Sequence, residues 1–450
     1  MLGSLAFGLA HRLRGSRSLE MLREMRDEPW QSRDVVLARQ LERVRALLAH
    51  AERHVPYYRD TFRSLGIRSA DVRTLEDFAR VPVLTKDVLR TRGEELISET
   101  ADRASLFAQH SGGSTGVPVS FFRDRAYLDA SDAGTYRNLE QCGWRPGDLV
   151  AFVWGFNERL DRMSPLEFRA RQHLRRFYQF DPFKSGPDDL AAWAAEWRRL
   201  RPVVALGYAS TIARFAEHAL ASGAEAPRLK GVFTTAEKLY PKQRETIARA
   251  FGCRVFDLYG SSEVQNIAAE CPAGRMHVNA DFCVLEVDDA AQGAGPQPFL
   301  VTSLKQWSMP FIRYRNEDCG TLLDGGCECG RGFPLLRLDI ARLSDNFHLP
   351  DGRVVHGEFF THLMYGSEGI ASFQFHQTAP EHVVIRIVPG PGAAEGREAT
   401  VRRAVAEVEA LAPGRMRVVV EEVESIPLSN AGKHRFTRSD VGSAVHATAP

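Results

Sequence analysis

A chain of 450 residues is too long for one ordinary hydrophobic core, so two or more domains are expected, with room for a buried site. Its 44% hydrophobic and 26% charged residues are the balance of a soluble globular protein, which excludes fibrous, disordered and membrane-embedded classes. Lys plus Arg (58) against Asp plus Glu (57) leave a formal charge of +1, so no global field draws the chain to nucleic acid or to an anionic membrane. Any phosphate must be met by local groups.

The first ten residues are weakly apolar, but Arg12, Arg14 and Arg17 follow them instead of preceding them, the wrong order for a signal peptide. No apolar run approaches the roughly 18 to 20 residues that span a bilayer, so no membrane span and a cytoplasmic location are expected. Leu37, Leu41, Val44 and Leu48 recur at helical spacing, with Arg39, Glu42, Arg43 and Arg45 on the wet side. They belong to a helical segment covering about residues 20–100.

Short apolar runs at 149–153, 203–206, 231–233 and 255–258 then alternate with helical stretches such as 242–251. That alternation predicts an α/β layer architecture. The turn-rich run 291–298 lies between apolar segments 283–287 and 299–304, which reads as a strand pair. After Arg342 the pattern changes to strand 383–388, a helix carrying Val401, Val405 and Val408, and strand 416–420: a small α+β domain. The expected fold is therefore α/β, with a large N-terminal domain (1–341) of mixed sheets and helices and a small C-terminal domain (347–450).

Within Ser111-Gly112-Gly113-Ser114-Thr115-Gly116, glycines let backbone N–H groups close around phosphate oxygens and the hydroxyls add donors. No Gly-Lys-Ser or Gly-Lys-Thr follows, which disfavours a P-loop NTPase. Taken alone, the segment reads equally well as a flexible turn.

Four further segments extend the pattern: Thr234-Thr-Ala-Glu-Lys238, Val255-Phe-Asp-Leu-Tyr-Gly-Ser-Ser-Glu263, Met309-Pro-Phe-Ile-Arg-Tyr-Arg-Asn-Glu-Asp318 and Asn430-Ala-Gly-Lys-His434. With the glycine-rich loop, their order and spacing resemble those of adenylate-forming enzymes. The branch they resemble is that of the phenylacetate-coenzyme A ligases and related capsule-biosynthesis adenylating proteins. His54-Val-Pro-Tyr-Tyr58 and Val81-Pro-Val-Leu-Thr-Lys86 also look like that branch, so the resemblance covers about residues 35–440.

The resemblance implies an ATP-dependent acid ligase with Mg²⁺ as a cofactor. Ser111 to Gly116 would grip the β- and γ-phosphates, and Ala236, Glu237 and Tyr259 would line the adenine pocket, with Asp257, Gly260 and Ser261 beside them. Ser262 would contact the α-phosphate and Glu263 would bind Mg²⁺, a hard cation that prefers oxygen ligands. Asp318 and Arg342 would hold the ribose. Lys433, by position alone a surface lysine, would bridge the substrate carboxylate and the α-phosphate. Trp154, Gly207, Tyr208, Ala209, Ser210 and Thr235 would line the acid pocket, and Asp345 would sit in a hinge at 342–346. Three departures stand out: Val117 replaces a usual lysine, Ala341 a usual glycine, and Asn316-Glu317 a usual Thr-Gly pair.

The chain has seven cysteines and no recognisable secretory leader, so a disulfide framework is not expected. Cys271, His277, Cys327 and Cys329 form two pairs of soft or borderline ligands that suit structural Zn²⁺, although their spacing is not that of a standard finger; unpaired thiols are the alternative. The expected partners are a small-molecule carboxylic acid and an acyl acceptor, with no nucleic acid and with a homodimer left open. Coenzyme A is the first acceptor considered. An amine, a hydroxyl or a carrier-protein thiol is the second, and a non-catalytic nucleotide-binding scaffold is the alternative of another class.

Overall fold

The computed structural model describes residues 2–111, 119–155, 163–182, 184–185, 187–222, 227–236, 239, 241–288, 298–340, 347–355, 357–364, 367, 369–390, 394–427 and 436–441. Gly112 to Gly116, Glu237, Arg342, Asp345 and Lys433 lie outside them.

The amino-terminal third is helical. In the helix Arg33–His54 the buried stripe is Val36, Gln40, Val44, Leu47, Leu48 and Ala51. Leu37 and Leu41, expected at its centre, flank it half-buried. Gln40 can lie inside because its Nε2 donates to the carbonyls of Ala280 (3.2 Å) and Cys283 (2.8 Å), so its amide fastens the helix to the large sheet.

That sheet has eleven strands. Five parallel strands run in the spatial order Phe177–Phe180, Val150–Val153, Val204–Tyr208, Gly231–Thr235, Arg254–Tyr259. Their apolar runs are nearly continuous because helices such as Ala209–Ala221 and Pro241–Phe251 cover the faces, and Val204–Tyr208 is buried at every position. The strands come so close that a Cβ on Gly207 would lie 2.1 Å from the carbonyl oxygen of Val153. Beyond Arg254–Tyr259 the sheet continues antiparallel through Ala268–Glu270, Met276–Val278, Leu335–Ile340, Tyr314–Leu323, Pro298–Ser303 and Cys283–Val287. The expected strand pair is present, with Cys283 opposite Ser303; the run 289–297 between the strands lies outside the described residues.

A buried ion pair locks helix to sheet. Arg137, on the helix Arg125–Glu140, reaches both carboxylate oxygens of Asp281 (2.6 and 3.0 Å), Asn279 Oδ1 (2.9 Å) and the Met25 carbonyl (3.1 Å). Burial alone would raise the Asp281 carboxyl, but the charge and hydrogen bonds of Arg137 prevail and hold it below the usual range. Arg137→Ala strands a buried carboxylate, so urea denaturation is expected to show a loss of about 3–5 kcal/mol. Because the native carboxyl is depressed, this stabilisation is full above the unfolded pKa of about 4 and fades as pH falls through the lower native value. A loss of equal size at pH 7 and below pH 3 would contradict the pairing.

Residues 347–441 have their own core. A mixed four-stranded sheet, ordered Arg417–Glu422, His382–Pro389, Ile370–Ala379, Thr437–Ser439, packs Phe373, Phe375, Ile385 and Ile387 against Phe360, Ala404 and Val408 of the helices Gly357–Met364 and Ala394–Ala410. This is the expected α+β unit. Arg214, on the helix Ala209–Ala221, donates to the Gly352 carbonyl (2.7 Å) across to it. Among the described residues no helix is long and apolar enough to cross a membrane.

Candidate active site

Parallel strands place their carboxyl ends at one edge, where open α/β sheets bind ligands. Trp154, Tyr208, Thr235 and Tyr259 all stand at that edge, each at or just beyond the end of its strand. The Trp154 and Tyr208 rings approach to 4.6 Å, and Phe152 stacks on Trp154 at 5.6 Å. Ala209 follows Tyr208 as the first residue of its helix, and Gly207 precedes it. The expected acid-pocket residues Trp154, Gly207, Tyr208, Ala209 and Thr235 are thus neighbours; for Ser210 only the backbone is described. Ala236 adopts φ +67, a left-handed conformation uncommon for a residue with a Cβ.

The turn after Arg254–Tyr259 is where the sheet changes from parallel to antiparallel. It is held from within by Ser261 N–H to the Val264 carbonyl (2.8 Å) and Val264 N–H to Ser261 Oγ (3.1 Å). From below, the buried Arg123 donates to the carbonyls of Ser262 and Glu263. Arg123 ends the strand Val119–Arg123, whose antiparallel partner Phe107–Ser111 carries Ser111 opposite Val119. Ser111, the described residue that opens the glycine-rich segment, is therefore paired with the strand whose Arg123 supports Ser262 and Glu263.

Alternation on Tyr314–Leu323 supplies the other side, because Tyr314, Asn316 and Asp318 share one face at a period of two. Tyr259 OH donates to Asp318 Oδ2 (3.0 Å), and Asn316 Nδ2 donates to Tyr259 OH (2.7 Å) and to Asp318 Oδ2 (3.4 Å). Tyr314 OH donates to Glu263 Oε1 (2.9 Å). Two buried hydrogen-bonded sets on one face of Tyr314–Leu323 thus meet the end of Arg254–Tyr259 and the turn after it: Asn316 and Asp318 hold Tyr259, and Tyr314 holds Glu263, with Glu263 fully enclosed and Asp318 only 4% exposed. Tyr314 and Asn316 were not among the expected site residues. A period-two reading backwards from Asp318 would have found both.

Asp257 lies beneath these two sets. Thr234 Oγ1 donates to its Oδ1 (3.0 Å), its own N–H donates to Glu270 Oε2 (2.9 Å), and Arg244 clasps Glu270 at 3.0 and 2.7 Å. Its carboxyl keeps some surface but is hemmed in by protein, and burial pushes it up to about 7, aided by Glu270 and opposed by the Thr234 hydrogen bond. A raised native pKa gives stability that is complete below the unfolded value of about 4 and lost as pH rises through about 7. Asp257→Asn imitates the neutral acid, so the difference between wild type and variant in urea midpoint should shift against the wild type from pH 5 to pH 8. A difference independent of pH would contradict the assignment.

Cys271, His277, Cys327 and Cys329 converge from two turns, with all four ligand atoms within 4.8 Å of one another. Cys271 Sγ and Cys327 Sγ are 3.7 Å apart, and Cys329 Sγ lies 3.4 Å from His277 Nε2. For bonds of about 2.3 Å to sulfur and about 2.1 Å to nitrogen, a tetrahedron has edges of about 3.8 and 3.6 Å, so the donor set fits Zn²⁺. His277 Nδ1 meets the Phe333 carbonyl (2.9 Å), which directs the proton to Nδ1 and leaves Nε2 as the ligand. Burial lowers the His277 pKa, which favours the neutral ring.

The chain matches no protein-family model. It is 26% identical over 304 residues to the phenylacetate-coenzyme A ligase of Pseudomonas putida, covering 65% of this chain and 68% of that one. It is 21% identical over 389 residues to the protein CapK of Staphylococcus aureus, covering 82% and 81%. Its fold is that of a solved 2-hydroxyisobutyryl-CoA ligase in complex with 2-HIB-AMP and CoA, at a TM-score of 0.64 and 21% identity over 94% of this chain and 93% of that one. Fold and relatives together define the class as an adenylate-forming ligase. Within that superfamily the relatives it resembles are those of the phenylacetate-coenzyme A ligase-like branch.

Proposed function

We propose that the chain activates a carboxylic acid with ATP, releasing pyrophosphate, and transfers the acyl group from the acyl-adenylate to coenzyme A. The observation that carries this reading is that one strand, Tyr314–Leu323, holds both Tyr259 with Asp318 and, through Tyr314, Glu263 by buried hydrogen bonds at the carboxyl ends of the parallel strands.

A carboxylate is a poor acyl donor because oxide is a hopeless leaving group. Attack of a carboxylate oxygen on the ATP α-phosphorus forms a C–O–P linkage and expels pyrophosphate; attack of the thiol sulfur on the acyl carbon then expels AMP. The sequence resemblance assigns Ser111 to Gly116 to the triphosphate and Tyr259, with Ala236 and Glu237, to adenine. Asp318 and Arg342 take the ribose. Asn316 and Tyr259 hold the Asp318 carboxylate through its Oδ2, so the group that would accept from the ribose hydroxyls is fixed before substrate arrives. Ser262 addresses the α-phosphate from a turn whose carbonyls Arg123 fixes. Glu263 would offer a hard oxygen ligand to Mg²⁺, which would supply charge neutralisation for the pyrophosphate, and Tyr314 sets the orientation of that carboxylate.

Lys433 provides the cation between the two reacting anions. With Asp345 as hinge, the small domain turns after adenylation and withdraws Lys433, so that one site serves both steps. The Cys271, His277, Cys327 and Cys329 set holds a structural zinc, all four of its ligands coming from the protein.

The acceptor is tested by supplying ATP, Mg²⁺ and a panel of aryl and alkyl acids with coenzyme A, amines or carrier protein, and identifying the product by mass. An acyl-coenzyme A thioester is expected. An amide, an ester or a carrier-bound acyl group instead would leave adenylation standing and overturn the acceptor.

A further inference from the structure

Two helices present apolar side chains to solvent side by side. The helix Leu2–Leu13 buries Phe7 and His11 against Tyr136 and leaves Leu9 58% and Leu13 79% exposed on its opposite face. The helix Pro165–Arg175 packs against it and leaves Leu166 79% and Leu174 47% exposed, with Ala170 between them at the same i+4 spacing. Arg14, just beyond the first helix, feels the charge of Arg175 at the end of the second, and Leu13 and Leu174 are their chain neighbours.

The charge carried by the two helices and their flanks is one-sided, although Glu20, Asp129, Asp132 and Glu196 of other segments lie near some of it. Residues 2–17 and 164–176 contain Arg12, Arg14, Arg17, Arg169, Arg171, Arg175 and Arg176 against Glu167 alone, in a chain whose total charge is only +1. Some of these arginines serve the fold: Arg17 pairs with Glu20, Arg175 with Asp132, and Arg176 donates to the Gly147 carbonyl. Arg12 and Arg169 stand exposed beside Leu13 and Leu166. Exposed leucines interleaved with arginines, on helices lying along the surface, match the chemistry of an anionic bilayer interface, where acyl chains take the leucines and lipid phosphates take the guanidinium groups. A two-fold dimer through the same face would set these arginines against their own copies, which like-charge repulsion disfavours.

We propose that the paired helices Leu2–Leu13 and Pro165–Arg175 form a peripheral docking surface for an anionic membrane. The test is flotation of the full chain with phosphatidylcholine vesicles containing about 30% phosphatidylglycerol, compared with phosphatidylcholine alone. Binding to the anionic vesicles is expected, weakened by salt. The double variant Leu13→Glu/Leu166→Glu should bind at least about tenfold more weakly. Arg12→Glu/Arg169→Glu should lose the preference for anionic over neutral vesicles, and both variants should keep the wild-type melting temperature. Three outcomes would overturn the proposal: no flotation with anionic vesicles at low salt, undiminished flotation of the leucine variant, or a wild-type dimer that Leu13→Glu converts to monomer. Association of the wild type only with an acidic protein and with no vesicle would equally overturn it.

Discussion

Lys433→Ala is expected to lower acid-dependent ATP–pyrophosphate exchange by about 10²–10³-fold while sparing thioester formation from supplied acyl-adenylate. The asymmetry follows from where charge lies in the two steps. In the first, a carboxylate must approach an α-phosphate that is itself anionic, and negative charge builds on the bridging oxygens as pyrophosphate departs. An ammonium placed between them is a compact point charge that stabilises this transition state more than the separated reactants. In the second step a thiolate attacks a neutral acyl carbon and AMP leaves, so a cation at the first position has nothing comparable to stabilise. Lys433→Arg keeps the charge but is bulkier and spreads it over a plane, so it should recover only part of the exchange. Equal loss of both half-reactions would remove Lys433 from this role.

The second large effect concerns the Cys/His cluster. Purified protein is expected to carry one zinc per chain, and Cys271→Ser or Cys329→Ser should abolish its retention and lower the melting temperature by on the order of 5 °C or more. The cluster joins two turns with few apolar contacts of their own, one tightened by Cys271 N–H to the Arg275 carbonyl (2.9 Å) and the other by Gly330 N–H to the Cys327 carbonyl (3.0 Å). The second turn also seats the amino-terminal segment: Gly332 N–H donates to the Pro29 carbonyl (2.9 Å), and the Arg331 guanidinium lies 4.6 Å from the Trp30 ring centre. Loss of metal should loosen both turns and the contact between residues 29–31 and the sheet. Cys253 is the control, a thiol outside the cluster that burial pushes up to about 12; Cys253→Ser should leave zinc content unchanged. Metal-free protein with an unaltered melting temperature after chelation would contradict the zinc assignment.

The sequence made the parallel half of the sheet legible because strands covered on both faces are continuously apolar, as at 203–206 and 231–233. It was less informative about the helix Arg33–His54, where a buried glutamine displaced the apparent stripe of leucines; only the tertiary structure shows which carbonyls Gln40 satisfies. The Cys/His set could be proposed from two close pairs, but the fold alone brings Cys271 to 3.7 Å from Cys327. Tyr259, Glu263 and Asp318 were identifiable by motif as separate residues. That Tyr314 reaches Glu263 and Asn316 reaches Tyr259 depends on the register of Tyr314–Leu323 against its neighbours, which shifts between Cys319 and Gly320 and cannot be read from local pattern. Trp154 and Tyr208 likewise meet only because the strands Val150–Val153 and Val204–Tyr208 are adjacent.

The most direct measurement is exchange of labelled pyrophosphate into ATP by the purified full chain, with Mg²⁺ and a broad panel of carboxylic acids and without any acyl acceptor. Adenylation predicts exchange that requires one class of acid, falls away when Mg²⁺ is chelated, and is lost in Lys433→Ala. No exchange with any acid, from protein that still binds ATP, would contradict catalysis and leave a nucleotide-binding scaffold.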